Sequence, residues 1–276
     1  MSESESESEF GFSSNDFERV RKLIYERAGI NLHAGKKSMV YSRMSRRLRE
    51  LGYTSVTAYL QFLEQASGVQ GDQEWQEFIN SLTTNLTSFF REDHHFPLLA
   101  AELMRRKSGR LRIWCNAAST GEEPYSIAIT VRESLGPKAS VQLVCSDIDT
   151  RVLERADRGV YPVDARGLTP EIRKRYFLRG VGTNDGFMRV KPELRAQVEF
   201  CPLNLMDSNW RLGEPFDIVF CRNVMIYFDP PTQRRVLEGM RSSMKLGGLL
   251  FAGHSENFAD SKDLFRLRGK TVYERV

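Results

Sequence analysis

The stretch Arg112-Ile113-Trp114-Cys115-Asn116-Ala117-Ala118-Ser119-Thr120-Gly121-Glu122-Glu123-Pro124-Tyr125-Ser126-Ile127-Ala128 decides the fold. An apolar run, a turn of small residues and a helix opening at a proline follow one another without a gap. That order is the first crossover of a nucleotide-type α/β sheet. The turn carries two glutamates where a phosphate-binding turn keeps its N–H groups free for an anion. Carboxylates at a helix N-terminus already use its positive end. The site therefore favours a phosphate-free, cationic nucleoside. S-adenosylmethionine (SAM) has that chemistry: adenosine, a sulfonium, an amino group, and one carboxylate needing a cation from elsewhere.

Downstream of this stretch, short apolar strands at 141–146, 198–201, 216–221 and 249–252 alternate with helices at 124–135, 150–156 and 231–244. Alternation of this kind specifies an α/β doubly wound, mostly parallel sheet. Residues 265–267 and 272–275 add a terminal antiparallel hairpin. Upstream, 14–90 reads helical, with helices from Asn15-Asp16 to Gly29, over 36–51, over 56–65 and over 75–82. The expected division is a disordered tail at 1–12, a small all-α domain at 13–90 and an α/β domain at 91–276. A β insert interrupts the α/β domain at about 160–196, since a connection this long is usually functional or a subdomain. Its hairpin pairs 178–181 with 186–190 across Gly182-Thr183-Asn184-Asp185.

The chain has 276 residues, 41% apolar and 28% charged, the balance of an ordinary soluble protein. No apolar run reaches the ~18 residues of a membrane span, so no direct membrane insertion is expected. Serine and glutamate alternate from residue 2 to 9, too polar to fold and without the apolar core of a secretory signal. The net charge is +4, and setting aside the four glutamates of that tail leaves +8 on the rest. That suits an acidic partner but is too weak to argue for nucleic acid. Cys115, Cys145, Cys201 and Cys221 all sit in strand-like runs without a C-x-x-C pair, and read as reduced thiols of a cytoplasmic protein. His33, His94, His95 and His254 have no cysteine or carboxylate at ligand spacing, so no metal is expected.

Asp147 ends the second strand, where a carboxylate accepts hydrogen bonds from ribose. The alternative is a helix cap, for which Asp149 is better placed. Arg222 and Asn223 end the strand at 216–221, at the carboxyl edge where open α/β sheets bind ligands, and Tyr227 follows. Asp229-Pro230-Pro231 reads as a helix start. The run 82–91 is either a linker or a site whose Asn85, Thr87 and Arg91 offer hydrogen bonds and a guanidinium. On the helix at 36–51, Lys36, Arg43, Arg46 and Arg47 share a nearly one-signed face, either solvated or docking an acidic surface.

Together these segments closely resemble the CheR family of chemotaxis receptor glutamate methyltransferases. The likeness rests on Thr83-Thr84-Asn85-Leu86-Thr87-Ser88-Phe89-Phe90-Arg91-Glu92, Ala118-Ser119-Thr120-Gly121-Glu122-Glu123-Pro124-Tyr125-Ser126, Ser146-Asp147-Ile148-Asp149, the run from Phe220 to Asp229, and Gly253-His254-Ser255-Glu256. The resemblance implies a class I SAM-dependent methyltransferase that esterifies glutamate side chains on chemoreceptor helices and leaves S-adenosylhomocysteine (SAH). It implies cofactor contacts at Asn85, Thr87, Arg91, Glu123, Asp147, Asn204, Leu205 and Asn223, with Arg222 beside them. It implies active-site roles for Arg91 and Tyr227. Arg179, Gly180, Gly186 and Arg189 resemble the hairpin that in part of the family holds a C-terminal receptor peptide, and would recruit the enzyme to membrane receptor arrays. The alternative is a glycine-rich hairpin without a ligand. A monomer is expected. The other readings are a non-catalytic SAM-sensing or receptor-binding module and, more weakly, a nucleic-acid methyltransferase.

Overall fold

The computed structural model describes residues 9–107 and 109–276. The expected disordered tail therefore lies mostly outside the described residues, but its last four residues do not. Phe10 is buried, Phe12 stacks on Tyr41 at 5.6 Å and Glu9 pairs with Arg49. Two aromatic side chains anchor this end of the tail against the helices, which corrects the boundary at 12.

The chain divides into two compact units. The first runs to Thr84 and takes in Tyr227–Asp229. It contains α1 (Ser14–Ala28), α2 (Lys37–Leu51), α3 (Val56–Gln65) and α4 (Gly68–Leu82). A capping box starts α1: Ser13 Oγ accepts from the Asp16 N–H at 3.0 Å, and Asp16 Oδ2 accepts from the Ser13 N–H at 3.1 Å. Gly29 stops it in the left-handed conformation. Val20, Ile24, Val40, Met44, Leu48, Tyr59, Leu63 and Phe78 form the buried interior. α4 begins seven residues before the expected 75 because its polar first turns show no apolar period. Within this unit the Asn31 N–H donates to the Tyr227 carbonyl at 2.8 Å, and Tyr25 Oη donates to Asp229 at 2.8 Å.

The second unit comprises Asn85–Ile226 and Pro230–Val276. The boundary thus falls after Thr84, not at 90, because Phe89 is buried in the second unit's core against Tyr161 and Phe177. Its elements are α5 (His95–Arg105), β1 (Leu111–Asn116), α6 (Glu122–Leu135), β2 (Val141–Asp147), α7 (Thr150–Arg158), β3 (Val160–Pro162), α8 (Pro170–Tyr176), β4 (Phe177–Arg179), β5 (Phe187–Val190), α9 (Pro192–Arg195), β6 (Val198–Pro202), β7 (Phe216–Cys221), α10 (Pro230–Ser242), β8 (Met244–Ala252), β9 (Phe265–Gly269) and β10 (Val272–Arg275). The main sheet has the order β6-β2-β1-β7-β8-β10-β9. Its first five strands are parallel, and β10 runs antiparallel to β8 and β9. β1 and β7 are buried along their whole length, as strands covered on both faces require.

The insert is a three-stranded antiparallel sheet of order β3-β5-β4, not a lone hairpin. Pro162 masked β3 in the sequence, yet proline is tolerated on an edge strand. The expected hairpin strands shift accordingly, to Phe177–Arg179 and Phe187–Val190.

Candidate active site

The turn after β1 is built from backbone that L-residues rarely adopt. Ala117 (φ +50°), Ser119 (φ +49°) and Gly121 (φ +97°) all lie in the left-handed region. At Gly121 a Cβ would stand 2.6 Å from Tyr161 Oη and 2.9 Å from Ala156 Cβ, so close approach as well as conformation requires glycine. The turn is tied to β2 by the Ala118 N–H to Ser146 O (3.0 Å) and the Ser119 N–H to Asp147 Oδ2 (2.8 Å).

Asp147 is buried, and its other oxygen accepts from the Asp149 N–H at 2.9 Å. Burial outweighs these N–H donors and pushes its carboxyl up to about 6. Asp149 is the helix cap, accepting from the Arg151 and Val152 N–H groups and from Asn85 Nδ2 at 2.8 Å. The Leu203 N–H donates to the Asp147 carbonyl at 2.9 Å, which brings Asn204 and Leu205 beside the end of β2. Asn204 shapes that loop itself, accepting from the Met206 N–H at 2.9 Å.

The loop from Asn85 to Glu92 reaches the same edge. Ser126 Oγ on α6 accepts from the Phe90 N–H at 2.9 Å. Gly167 accommodates the chain closely, since a Cβ there would sit 1.8 Å from Phe89 O. Arg91 donates from Nη1 to Leu86 O at 2.8 Å and from Nη2 to Asn223 Oδ1 at 2.6 Å. Asn223 Nδ2 donates to Glu92 Oε1 at 3.1 Å. A guanidinium only donates and a carboxylate only accepts, so this chain fixes the orientation of the Asn223 amide. Asn223 has φ +61°, held there by Glu256. The buried Glu256 carboxylate accepts from the N–H groups of Asn223 (3.0 Å), Val224 (2.9 Å), Met225 (2.8 Å) and Gly253 (2.5 Å). Burial raises its pKa despite those four donors.

Two of the expected cofactor contacts pair with each other. Arg222 is buried, and its guanidinium pairs with Glu123 and donates to the Arg91 carbonyl. Glu123 also accepts from Cys115 Sγ at 3.3 Å. Arg222 was expected among ligand contacts from its place at a strand end and Glu123 from the family resemblance; their proximity to one another was not readable from positions 99 apart. Glu122, the other glutamate of the turn, accepts from Thr120 Oγ1 at 2.6 Å.

The docking face also changes. Arg43 turns inward and donates to the carbonyls of Leu82 and Thr83, both at 2.8 Å. Arg47 pairs with the buried Glu74. Lys36 lies in a 3₁₀ turn ahead of α2 and is exposed, and Arg46 is exposed with Glu50 at 3.2 Å. Two of the four cations are therefore structural. In the insert, Gly180 is needed for the turn: a Cβ would lie 2.0 Å from Asn184 O. Gly186 has φ +84° and open space around it. Arg179 and Arg189 are exposed, and β5 is paired on both sides, which leaves β4 as an edge.

Two residues at the carboxyl edge of the sheet, Asn116 and Ser119, were not singled out in the sequence, whereas Arg222 was. Asn116 is fully buried with both amide atoms unpartnered, and Ser119 Oγ and Arg222 Nε are likewise buried without partners. Orphaned polar atoms concentrated at the ends of β1 and β7 fit a polar ligand above the sheet. The expectation that no carboxylate stands near the histidines also fails, since Glu92, His94 and His95 bring ligand atoms within 4.8 Å of one another.

Residues 85–274 match the family described as CheR methyltransferase, SAM binding domain, and residues 15–83 match CheR methyltransferase, all-alpha domain. A chemotaxis protein methyltransferase of Klebsiella aerogenes is 56% identical over 263 residues, covering 95% of this chain and 89% of that protein. One of Escherichia coli is 53% identical over 263 residues, with 95% and 91% covered. Chemotaxis protein methyltransferase 2 of Pseudomonas aeruginosa is 52% identical over 270 residues, with 96% and 94% covered.

Proposed function

Because the chain belongs to the CheR methyltransferase family, we propose that it esterifies glutamate side chains on the cytoplasmic helices of chemoreceptors, with SAM as methyl donor. The observation that carries this reading is the Arg91–Asn223–Glu92 chain at the carboxyl edge of the sheet. It presents an aimed cation where an anionic acceptor has to be held.

When bound, SAM supplies a methyl group made electrophilic by the sulfonium. Asp147, with Asn204 and Leu205 beside it, would hold the adenosine end; Asn85 and Thr87 would close over it, and Asn223 and Arg91 would hold the amino acid end. The buried orphan atoms of Asn116 and Ser119 fit such a polar ligand. A glutamate carboxyl has a reference pKa of ~4.3 and is already ionised at neutral pH. No general base is required, and His254 need not act as one. The protein's work is to keep a carboxylate oxygen in line and to exclude water. Arg91 orients that oxygen, and Tyr227 keeps the active-site role that the family resemblance implies. Arg222 and Glu256 act through others: Arg222 secures the Arg91 backbone, and Glu256 locks the turn carrying Asn223.

Lys36 and Arg46 would meet the acidic methylation region, and the β4 edge would pair with a C-terminal receptor peptide by strand addition. Exposed Leu178 and Arg179 on β4 suit an amphipathic peptide with carboxylates. Such a tether raises local enzyme concentration without a new catalytic contact. The protein would act as a cytoplasmic monomer recruited to receptor arrays, without nucleic acid. No described helix is long and apolar enough to cross a membrane. The test is transfer of labelled methyl from SAM to receptor-containing membranes, released by base as methanol. Base-stable label would reject glutamate esters. Titration with C-terminal receptor peptides checks the tether: Arg179→Glu should weaken binding, and no binding by any peptide would reject it.

A further inference from the structure

We propose that Glu92, His94 and His95 form a site for a divalent transition-metal ion of the zinc class, and that filling it weakens the binding of SAM. Only the second half rests on the function proposed above.

His95 is fully buried. Its Nε2 lies 3.0 Å from Lys270 O and 3.1 Å from Thr271 Oγ1. A carbonyl can only accept, so Nε2 carries the proton and Nδ1 presents a lone pair. That nitrogen is buried without a partner, and Glu92 Oε2, which also only accepts, stands 3.9 Å away. Glu92 Oε2 already accepts from the His254 N–H at 3.0 Å, so the unmet acceptor is His95 Nδ1, and a cation in the gap would supply it. An imidazole whose outer N–H rests on a backbone carbonyl, with its other nitrogen free, is the arrangement of a metal-ligating histidine.

His94 completes the set. Its ring centroid is 4.2 Å from that of His95, and its ligand atom lies within 4.8 Å of those of Glu92 and His95. Ligands of tetrahedral zinc at bonds of ~2.0–2.1 Å sit roughly 3.4 Å apart. The cluster must therefore contract, and the half-exposed His94 has room to turn. His254 is the natural fourth ligand: its side chain is 70% exposed and its Nδ1 is 3.3 Å from Glu92 Oε1. Imidazoles with one carboxylate select zinc, nickel or cobalt over calcium and magnesium.

Opposition comes from Arg222, whose Nη2 is 3.4 Å from Glu92 Oε2, and from the positive end of α5. A bound cation has to displace that guanidinium from Glu92, leaving it on Glu123. The same carboxylate holds the Asn223 amide that aims Arg91. Metal on Glu92 therefore slackens the chain that positions the cofactor end of the site. By linkage the effect is reciprocal: SAM must weaken the metal as much as the metal weakens SAM.

The experiment is calorimetric titration of the full chain with zinc chloride, followed by SAH titration with and without zinc. One zinc per chain should bind, and zinc should weaken SAH at least fivefold, the lower end of ordinary coupling. His94→Ala should lose at least tenfold in zinc affinity while keeping its melting temperature and its zinc-free SAH affinity. His95→Ala removes a buried anchor as well, so His94→Ala and Glu92→Gln carry the test if it fails to fold. Cobalt in place of zinc should give a spectrum of nitrogen and oxygen ligands without thiolate charge transfer. Absence of zinc binding, equal affinity in His94→Ala, or a thiolate spectrum overturns the site; zinc binding with SAH unaffected overturns the coupling. A chain that binds zinc but no SAH would reject the proposed function and leave the site standing.

Discussion

Asp147→Asn separates the two tasks of this residue, holding the turn after β1 and accepting from the cofactor's ribose. Its carboxyl stands at about 6 against an ordinary value of 3.8, because it is buried. At ~1.36 kcal/mol per pH unit, burial opposes the ionised form by ~3 kcal/mol. The amide is uncharged and recovers that cost. It has a single acceptor oxygen, however, so one of the two N–H groups from Ser119 and Asp149 is left facing an NH₂. A buried unsatisfied donor costs ~1–3 kcal/mol. The two effects offset, and with about 2–4 °C per kcal/mol for a domain of this size the melting temperature should move by only a few degrees. Cofactor affinity has no such offset. Hydrogen bonds to a charged acceptor are worth ~1.5–3 kcal/mol against ~0.5–1.5 for neutral ones, so two ribose hydroxyls place the loss at roughly ten- to a hundredfold. SAH calorimetry and a thermal melt near neutral pH measure both quantities. Unchanged affinity would mean that Asp147 only holds the turn, and a melting temperature lower by more than about 10 °C would refute the offset.

The same carboxylate gives a pH signature. SAH needs Asp147 ionised, so affinity should fall about tenfold per pH unit below about 6. Folding stability moves the other way: with the folded value raised, this group's contribution is complete below 3.8 and is lost as pH rises through about 6. A flat affinity profile across that window would contradict the assignment. Tyr227→Phe should lower kcat more than it weakens SAH, whereas Arg91→Ala should lose both; a normal kcat in Tyr227→Phe removes its active-site role. Lys36→Glu combined with Arg46→Glu should raise the KM for receptor at low salt and spare SAH affinity, and unaltered low-salt kinetics would show those two cations to be merely solvated.

The parts of the fold legible in the sequence were those written in local period and turn chemistry. Buried apolar runs marked β1, β2 and β7, and glycines marked the ends of α1 and α2. α5 and the first turns of α4 escaped because one is nearly uniformly apolar at its start and the other polar, so neither shows a stripe. At the site, residue types at strand ends pointed to Asp147 and Asn223, while Arg91 stood in a run that the residues alone left open between linker and site. Partnerships did not show, because they join distant segments: Arg222 with Glu123, Glu256 with the Asn223 turn, Arg47 with Glu74. Asn116 carried no sequence signal beyond closing a strand; its importance lies in being buried with nothing to bond to. Arg43 and Arg47 lay on a helix face that looked free only because their acceptors are some thirty to forty residues away.

Mass spectrometry of the receptor fragment after incubation with SAM reads methyl transfer to glutamate carboxylates residue by residue. The expected result is a mass gain of one methylene on glutamate within the receptor helices, removed by mild base, and abolished in Arg91→Ala while the folded state persists. Receptor that gains no methyl group from a chain that binds SAH, or methyl groups on residues other than glutamate, would contradict it.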